Sequence, residues 1–465
     1  MVAQESGKAV HIKTFGCQMN VYDSDRMYST LREKGYWHQP SLAEADVILI
    51  NTCSIRAKSE QKVLSLLGQL RPLKDRNPSL VIGISGCVGQ RMGRQLLQRV
   101  PHLDLVFGPD SVDRVASLVE SAKVRGVRAV DVQMDAPGRT YSQPALVQQA
   151  RPSEFLTIMK GCDHFCTYCI VPFVRGREKS RPLAEVVDDV RKLASRGTRE
   201  IVFLGQNINT YGKGTGTDEN LARLIEATNK IDGIDRIRYV TSHPRDLGVD
   251  LIEQFGAVEK LCPSLHLPFQ AGSDRILKRM SRLYTRAQYM EKIVALRKAC
   301  PDIALSTDVI VGFPGETEED FQQSLDVIRE VRFSLAYMFK YSPRPGTRAS
   351  AFAAEEEVPE EVKDERLKRL QDLANSTMEK ENTDLIGTRT PVLLESMDRK
   401  GLFYSGRNQH AKRVHVMNAG EACLGKIVDV EITEANASNL RGYYVGAPRI
   451  DRGSEARLPT PVHSA

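Results

Sequence analysis

No stretch of this 465-residue sequence approaches the ~20 consecutive apolar residues that a membrane-spanning helix requires. The opening residues, Met-Val-Ala-Gln-Glu-Ser-Gly-Lys, lack the apolar core of a secretory leader. The expected setting is the cytoplasm, with no membrane partner. Cysteine is scarce, nine residues in all. In a reducing compartment, cysteines that cluster point to a metal centre rather than to disulfides. A second C-x-x-C pair is missing, although His164 could add a ligand. That counts against a structural zinc site, whose four ligands typically come from two such pairs. A strong charge imbalance is absent too: the formal net charge is +6 and 27% of residues are charged. Such mild basicity permits a nucleic-acid partner without requiring one. What is present is apolar material, 41% of residues, enough for sizeable cores in about three domains.

The clustered cysteines lie in Met159-Lys-Gly-Cys-Asp-His-Phe-Cys-Thr-Tyr-Cys169, where Cys162, Cys166 and Cys169 form C-x-x-x-C-x-x-C. Three thiolates in so short a loop can hold one metal centre from one side. A cubane iron–sulfur cluster is held by Cys thiolates, and three of them leave one iron open to a small molecule. The spacing resembles the cluster motif of the radical S-adenosylmethionine (SAM) enzymes. The resemblance implies that the open iron chelates the amino and carboxylate groups of SAM, and that the reduced cluster splits SAM to a 5′-deoxyadenosyl radical. It also implies that Tyr168, the aromatic before the last cysteine, packs on the adenine.

The N-terminal region repeats one pattern. Residues 9–16, 46–52 and 80–86 read as strands that end at Cys17, Cys53 and Cys87. Helices are expected over Tyr22–Lys34, Ala57–Leu70 and residues 90–100. Strands alternating with helices predict a parallel, doubly wound sheet. All three cysteines then sit at carboxyl ends of strands, the edge where open parallel sheets bind ligands. Buried cysteine is common in sheets, but harmless burial does not place three at equivalent strand ends beside glycines. A zinc site is the other alternative. Gly-Cys-Gln-Met-Asn-Val-Tyr-Asp-Ser-Asp (16–25) and Asn-Thr-Cys-Ser-Ile-Arg (51–56) resemble the N-terminal domain of the methylthiotransferases. That resemblance implies that Cys17, Cys53 and Cys87 hold a second 4Fe–4S cluster whose open iron carries the sulfur to be delivered. The domain is expected over 9–126, with turn chemistry at Asp135-Ala-Pro-Gly138 and Ser142-Gln-Pro144 marking a linker.

A second βα series follows over 148–382. Strands are expected at 154–159, 200–204, 236–241, 264–269, 303–311 and 334–341, with helices at Leu183–Arg196, Leu221–Lys230, Arg286–Ala299 and Glu318–Val331. Together they predict a partial (β/α)6 barrel, whose active site lies at the carboxyl ends of its strands. In radical SAM enzymes these ends line the SAM pocket, so the resemblance carries that role to Gly205, Gln206, Asn207 and Ser242. Ordinary turn chemistry is the alternative. Arg175, Arg177 and Arg181 can face phosphates or a carboxylate, or form salt bridges that hold the cysteine loop. Cys262 and Cys300 have no partner at metal spacing and read as structural; His243 and His266 read as hydrogen-bonded barrel residues. An amphipathic helix over Glu361–Glu381, with Leu367, Leu370 and Leu373 on one face, is expected to pack on the barrel.

The last region, 384–450, is rich in β segments at Thr390–Leu394, Val414–Met417 and Ile427–Thr433. Gly406-Arg407-Asn408, Lys412-Arg413-Val414-His415 and Leu440-Arg-Gly442 resemble the TRAM domain, a small all-β barrel that binds RNA. The resemblance implies RNA contacts for Arg407, Lys412 and Arg413, though Asn408 stands where that family usually has Thr. A solvated basic rim is the alternative. Residues 1–8 and 451–465 are expected to be disordered.

The methylthiotransferase resemblance extends over about 9–450. Gln18-Met19-Asn20, Ser54-Ile55-Arg56 and Met280-Ser-Arg-Leu-Tyr-Thr285 resemble the branch that adds a methylthio group to carbon 2 of isopentenylated adenosine beside the tRNA anticodon. Branches acting on threonylcarbamoyladenosine in tRNA or on a ribosomal-protein aspartate are the alternatives. The implied cofactors are two 4Fe–4S clusters and SAM, as methyl donor and as radical source. The implied partners are the tRNA anticodon loop, an electron donor such as flavodoxin or ferredoxin, and a sulfur donor that the sequence does not identify, with the enzyme acting as a monomer. Two readings of another class are an iron–sulfur RNA-binding protein without turnover and a zinc-stabilised RNA-binding protein.

Overall fold

Alternation of apolar residues over both faces makes the N-terminal strands interior ones. Val47 and Leu49 point into one core, Ile48 and Ile50 into another, as in a parallel sheet covered on both sides. The computed structural model describes residues 8–54, 57–134, 138–141, 151–352 and 354–446. The ends expected to be disordered lie outside them, except Lys8, as does most of the linker chemistry at 135–144. Six parallel strands, β1 (Ala9–Thr14), β2 (Trp37–His38), β3 (Val47–Thr52), β4 (Val81–Ser85), β5 (Leu105–Phe107) and β6 (Ala129–Asp131), lie in the order β2-β1-β3-β4-β5-β6. Helices α1 (Gln18–Arg32) and α5 (Val115–Arg125) cover one face, while α2 (Ala57–Arg76) and α4 (Arg94–Arg99) cover the other. The short α3 (Gly86–Met92) follows β4. The doubly wound reading holds. The direction of strand addition reverses between β1 and β3, which is where such sheets open a ligand crevice.

Some boundaries differ from expectation. Helix α1 begins at Gln18 rather than Tyr22, so Cys17 is its cap, and α3 begins at Gly86, so Cys87 sits in its first turn. Strands β2, β5 and β6 were not expected; two or three residues carry too little periodicity to register.

The chain divides into two compact units, the first of which also takes in residues 159–165 and 169–179. The second unit is built on β7 (Ser153–Thr157). Two short strands, β8 (Met159–Lys160) and β9 (Lys179–Ser180), bracket the cysteine loop and α6 (Val171–Arg175). Then come α7 (Leu183–Ser195), β10 (Glu200–Leu204), α8 (Leu221–Asn229), β11 (Arg236–Tyr239), α9 (Val249–Ala257), β12 (Ser264–His266), α10 (Asp274–Arg279), α11 (Arg286–Ala299), β13 (Ala304–Val311), α12 (Glu318–Val331) and β14 (Leu335–Lys340). The ladders β7-β10-β11 and β12-β13-β14 are parallel, and a bridge from Ile237 to Leu261 connects them. This is the expected partial barrel.

The long helix α13 (Glu360–Thr383) packs against β14 and α12, but not through the leucine face expected. Its buried line is Arg366, Leu370, Ala374, Met378 and Asn382, with Lys363 beside it, and Leu367 and Leu373 are only half-buried. Four-residue steps keep that line on one face. Arg366 is tolerated there because Glu316 pairs with it at 2.8 Å.

The last region closes into a five-stranded barrel of β15 (Arg389–Met397), β16 (Tyr404–Asn408), β17 (Arg413–Met417), β18 (Ile427–Ala435) and β19 (Asn439–Tyr444), ordered β15-β16-β17-β19-β18. Val392, Leu394, Val414, Val416, Val430, Ile432 and Leu440 fill it. It docks on the amino-terminal end of the large barrel through main chain. Arg236 donates to the carbonyls of Arg407 (2.8 Å) and Pro391 (2.9 Å), and Arg238 to those of Asn408 (2.7 Å) and Gln409 (2.8 Å). Arg238 also pairs at 2.8 Å with Glu200, which is 1% exposed. Among the described residues no helix is long and apolar enough to cross a membrane.

Breaking a buried pair by removing one partner strands the other charge. Arg238→Met is therefore expected to lower stability by about 3 kcal/mol, read as a fall in the thermal midpoint. Adding Glu200→Gln should recover part of the loss. Equal midpoints for the single and double variants would show that the pair does not act as a unit.

Candidate functional site

The strand ends of the first unit bring Cys17, Cys53 and Cys87 together. Cys17 caps α1 with extended backbone (φ −93°, ψ −178°), Cys53 follows β3 directly, and Cys87 is the second residue of α3. Two asparagines brace the loops. Asn20 donates to the Asn51 side chain and to the Thr52 carbonyl, both at 3.0 Å, and Asn51 donates to the Asn20 carbonyl at 2.8 Å. Gly86, at φ +84°, lies so close to β3 that a Cβ there would stand 2.4 Å from the Thr52 carbonyl oxygen. Only glycine allows that approach. A hydrogen bond with Cys53, chiefly, brings the Cys17 thiol down to about 6 against the effect of burial, with help from the Arg175 guanidinium. Burial pushes the Cys87 thiol up. Soft thiolate donors of this kind suit an iron–sulfur cluster.

All three arginines left open by the sequence form ion pairs. Arg175, buried on α6, pairs with Asp23 of α1 at 2.7 Å. Arg177 pairs with Asp163 at 2.6 Å, and Arg181 with Asp189 at 2.6 Å. Burial opposes the charge of Asp163, yet Arg177 and Arg139 hold its carboxyl well below the usual range. These pairs fix the segment that carries the second cysteine triad. Cys162 is buried, with its N–H donating to the Gly176 carbonyl at 3.1 Å. Cys166 is also buried, and its neighbour Thr167 is tied by its N–H to the Met280 carbonyl at 3.0 Å and by its hydroxyl to the Arg279 carbonyl at 2.9 Å. Tyr168 and Cys169 are half-buried.

Gly205, Gln206 and Asn207 follow β10 and Ser242 follows β11, so all four lie at carboxyl ends of barrel strands. Asn207 is buried and donates to Asp246 at 2.9 Å. Before Ser242 the backbone turns through Thr241 at φ +72°, a left-handed conformation that a β-branched residue rarely adopts. The Ser242 hydroxyl and the Asn209 side-chain oxygen are buried with no hydrogen-bond partner among the described residues. A buried polar atom left so costs about 1–3 kcal/mol, which fits a pocket completed by a polar ligand such as SAM.

Hydrogen bonds and ion pairs engage most of the other candidate residues. His243 accepts from the Arg245 N–H at 3.2 Å, and His266 bonds Ser306 at 3.0 Å and Asp308 at 3.4 Å. Cys300 donates to Asp302 at 3.3 Å, and burial pushes the Cys262 thiol up to about 11. In the small barrel Arg407 holds Glu395 with two bonds at 2.8 and 2.9 Å, half-buried Lys412 donates to Asn382, and Arg413 is exposed. Asn408, the departure from the TRAM pattern, accepts the Lys412 N–H at 3.0 Å. The sequence singled out the stretch Met280–Thr285 but gave no role to Arg282 within it, which is 5% exposed and reaches the Cys166 sulfur at 3.8 Å.

Residues 9–108 match the family model described as uncharacterized protein family UPF0004, and residues 156–328 match the radical SAM superfamily. The chain is 46% identical over 441 residues to the tRNA-2-methylthio-N(6)-dimethylallyladenosine synthase of Cereibacter sphaeroides, covering 95% of this chain and 99% of that protein. It is 44% identical over 435 residues to the synthase of the same name from Trichlorobacter lovleyi, covering 94% and 99%. Among solved structures, the radical S-adenosylmethionine methyltransferase TsrM from Kitasatospora setae, with cobalamin and a 4Fe–4S cluster bound, aligns with a TM-score of 0.54 at 14% identity over 74% of each chain. At that identity the likeness concerns the fold alone.

With Cys17 lowered to about 6 and Cys87 raised, the metal-free protein should alkylate unevenly, because the thiolate is the nucleophile. At pH 7 iodoacetamide should label Cys17 well before Cys87, and moving to pH 5 should slow Cys17 by about tenfold. Peptide mass spectrometry reads both rates. Equal labelling of the two cysteines across that range would contradict the arrangement.

Proposed function

The chain belongs to the family of the tRNA-2-methylthio-N(6)-dimethylallyladenosine synthases, and from that membership we propose that it adds a methylthio group to carbon 2 of isopentenylated adenosine beside the tRNA anticodon. The observation that carries the reading is 46% identity to such a synthase over 95% of the chain. The chain is a radical SAM enzyme working with two 4Fe–4S clusters and SAM. When bound, these groups supply reductive cleavage of SAM at one cluster and the sulfur to be transferred at the other.

In this reading Cys162, Cys166 and Cys169 ligate the SAM-cleaving cluster, and Cys17, Cys53 and Cys87 the sulfur-bearing one. Gly86 and the Asn20–Asn51 brace hold the second set in register. Tyr168 packs on the adenine of SAM, the backbone at Gly205 lets the ligand approach, and Gln206, Asn207 and Ser242 supply polar contacts. The buried Ser242 hydroxyl supports this, since a hydrogen bond from SAM would satisfy it. Arg413 offers exposed charge to tRNA phosphates, while Arg407 and Lys412 act through the loop they hold. An unpaired anticodon-loop base can be splayed into a pocket without breaking a duplex. The same reading treats 9–126, 148–382 and 384–450 as the working domains. It places a monomeric enzyme in the cytoplasm with flavodoxin or ferredoxin as reductant.

Mass spectrometry of tRNA nucleosides tests the assignment. A deletion strain should lose the 2-methylthio group from isopentenyladenosine, and the restored gene should return it. Unchanged tRNA, with a methylthio mark lost from a ribosomal protein or from threonylcarbamoyladenosine, would move the enzyme to another branch.

The triads separate in vitro. Replacing Cys162, Cys166 and Cys169 with Ala should abolish 5′-deoxyadenosine formation. Replacing Cys17, Cys53 and Cys87 should spare it under dithionite but abolish methylthiolation. Either change should remove about half of the iron. Full iron and active methylthiolation in the N-terminal triple variant would refute the second cluster.

A further inference from the structure

Among the described residues no carboxylate pairs with Arg282. It is 5% exposed, and its guanidinium donates to the Pro268 carbonyl at 2.9 Å, the Tyr284 hydroxyl at 3.4 Å and the Cys166 sulfur at 3.8 Å. The Tyr284 ring lies 5.4 Å from the guanidinium carbon. None of these groups is a carboxylate. Four other buried arginines reach one: Arg175 pairs with Asp23, Arg181 with Asp189, Arg238 with Glu200 and Arg366 with Glu316, whereas Arg236 is held by two main-chain carbonyls. A charge taken out of water without a counter-charge is strongly unfavourable, so the position of Arg282 calls for an anion. The sulfur of Cys166, which binds a metal only as the thiolate, lies within reach.

The backbone places the guanidinium there by design of the turn. Ser281 and Leu283, on either side, both take left-handed conformations, φ +56° and φ +58°, although neither is glycine. Such conformations persist only where the surroundings enforce them, and they gather at functional sites. The enforcement comes partly from Thr167, which fastens the preceding residues to the cysteine segment through the carbonyls of Arg279 and Met280.

We infer that Arg282 is the fixed counter-charge of the cluster held by the Cys162, Cys166 and Cys169 loop, a positioning residue that donates to the Cys166 sulfur and raises the reduction potential of that cluster. The inference rests on the reading that this loop holds a cluster. Thiolate ligation makes such a centre negative, and accepting an electron makes it more so. A guanidinium at a ligand sulfur, in a site of low dielectric, favours the reduced form, because net charge and hydrogen bonds to sulfur set cluster potentials. The electron comes from the reductant of the proposed reaction, a flavodoxin or ferredoxin, and its acceptor is the cluster.

The test uses full-length protein in which Cys17, Cys53 and Cys87 are replaced by Ala, so that the loop cluster alone is observed. Its midpoint is read by potentiometric titration with electron paramagnetic resonance, alongside iron and sulfide content. Arg282→Met should keep the iron and shift the midpoint to more negative values. 5′-deoxyadenosine formation should fall severalfold with a weak reductant and much less with excess dithionite. Arg282→Lys, which keeps the charge, should recover part of the shift. A Met variant with its cluster intact and its midpoint unmoved overturns the inference. If the Met variant loses iron, Arg282→Gln decides instead: a negative shift supports the inference, and an unmoved midpoint overturns it. Absence of iron from the parent itself would overturn the cluster reading and, with it, this one.

Discussion

Three cysteines from distant parts of a chain meet only where the backbone lets three loops end at one edge, and here that depends on the missing side chain of Gly86. A Cβ at that position would collide with the Thr52 carbonyl, forcing the start of α3 away from the end of β3 and taking Cys87 away from Cys17 and Cys53. The Asn20–Asn51 brace does the same for the other pair of loops, with hydrogen bonds that leave little freedom at Cys17. The soft-donor site is thus a property of the sheet: strand order β2-β1-β3-β4 sets the crevice, and one glycine and two asparagines close the loops around it.

Arginine does much of the remaining work. The pairs Arg175–Asp23, Arg177–Asp163 and Arg181–Asp189 surround the segment carrying the second cysteine triad. Each carboxylate neutralises the guanidinium where it is buried, so the segment is held without stranded charge. Arg282 departs from that pattern beside a cysteine, where its guanidinium reaches a sulfur instead of a carboxylate.

The sequence made some of this visible. Runs such as Val47–Thr52 and Val81–Ser85 are apolar on both faces, and each stops at a cysteine, so the parallel sheet and its ligand edge could be read directly. The six strands of the large barrel were legible for the same reason, and so were its helices with clear apolar faces. Strands β2, β5 and β6 were not, being too short to show a period. Strand β16 contains Ser405-Gly406-Arg407-Asn408, whose polar composition shows no strand period, so that only its resemblance pointed to a barrel. The buried line of α13 runs through Arg366 because Glu316, fifty residues earlier in the chain, waits to pair with it. The stretch holding Arg282 stood out by its resemblance, but the role of the side chain did not, because it lies in left-handed turns and in a sulfur far away in sequence.

The grip of Arg236 and Arg238 on the small barrel has a consequence for divergence. Their acceptors are the main-chain carbonyls of Pro391, Arg407, Asn408 and Gln409. A carbonyl is the same in every residue, so this part of the attachment reads the course of the strands, and side-chain identity enters through contacts such as His410 with Asp302. Substitutions that preserve that course leave the grip of the two arginines intact. The outer surface of the small barrel is therefore free to drift toward new sequences while its seat on the larger one stays inherited.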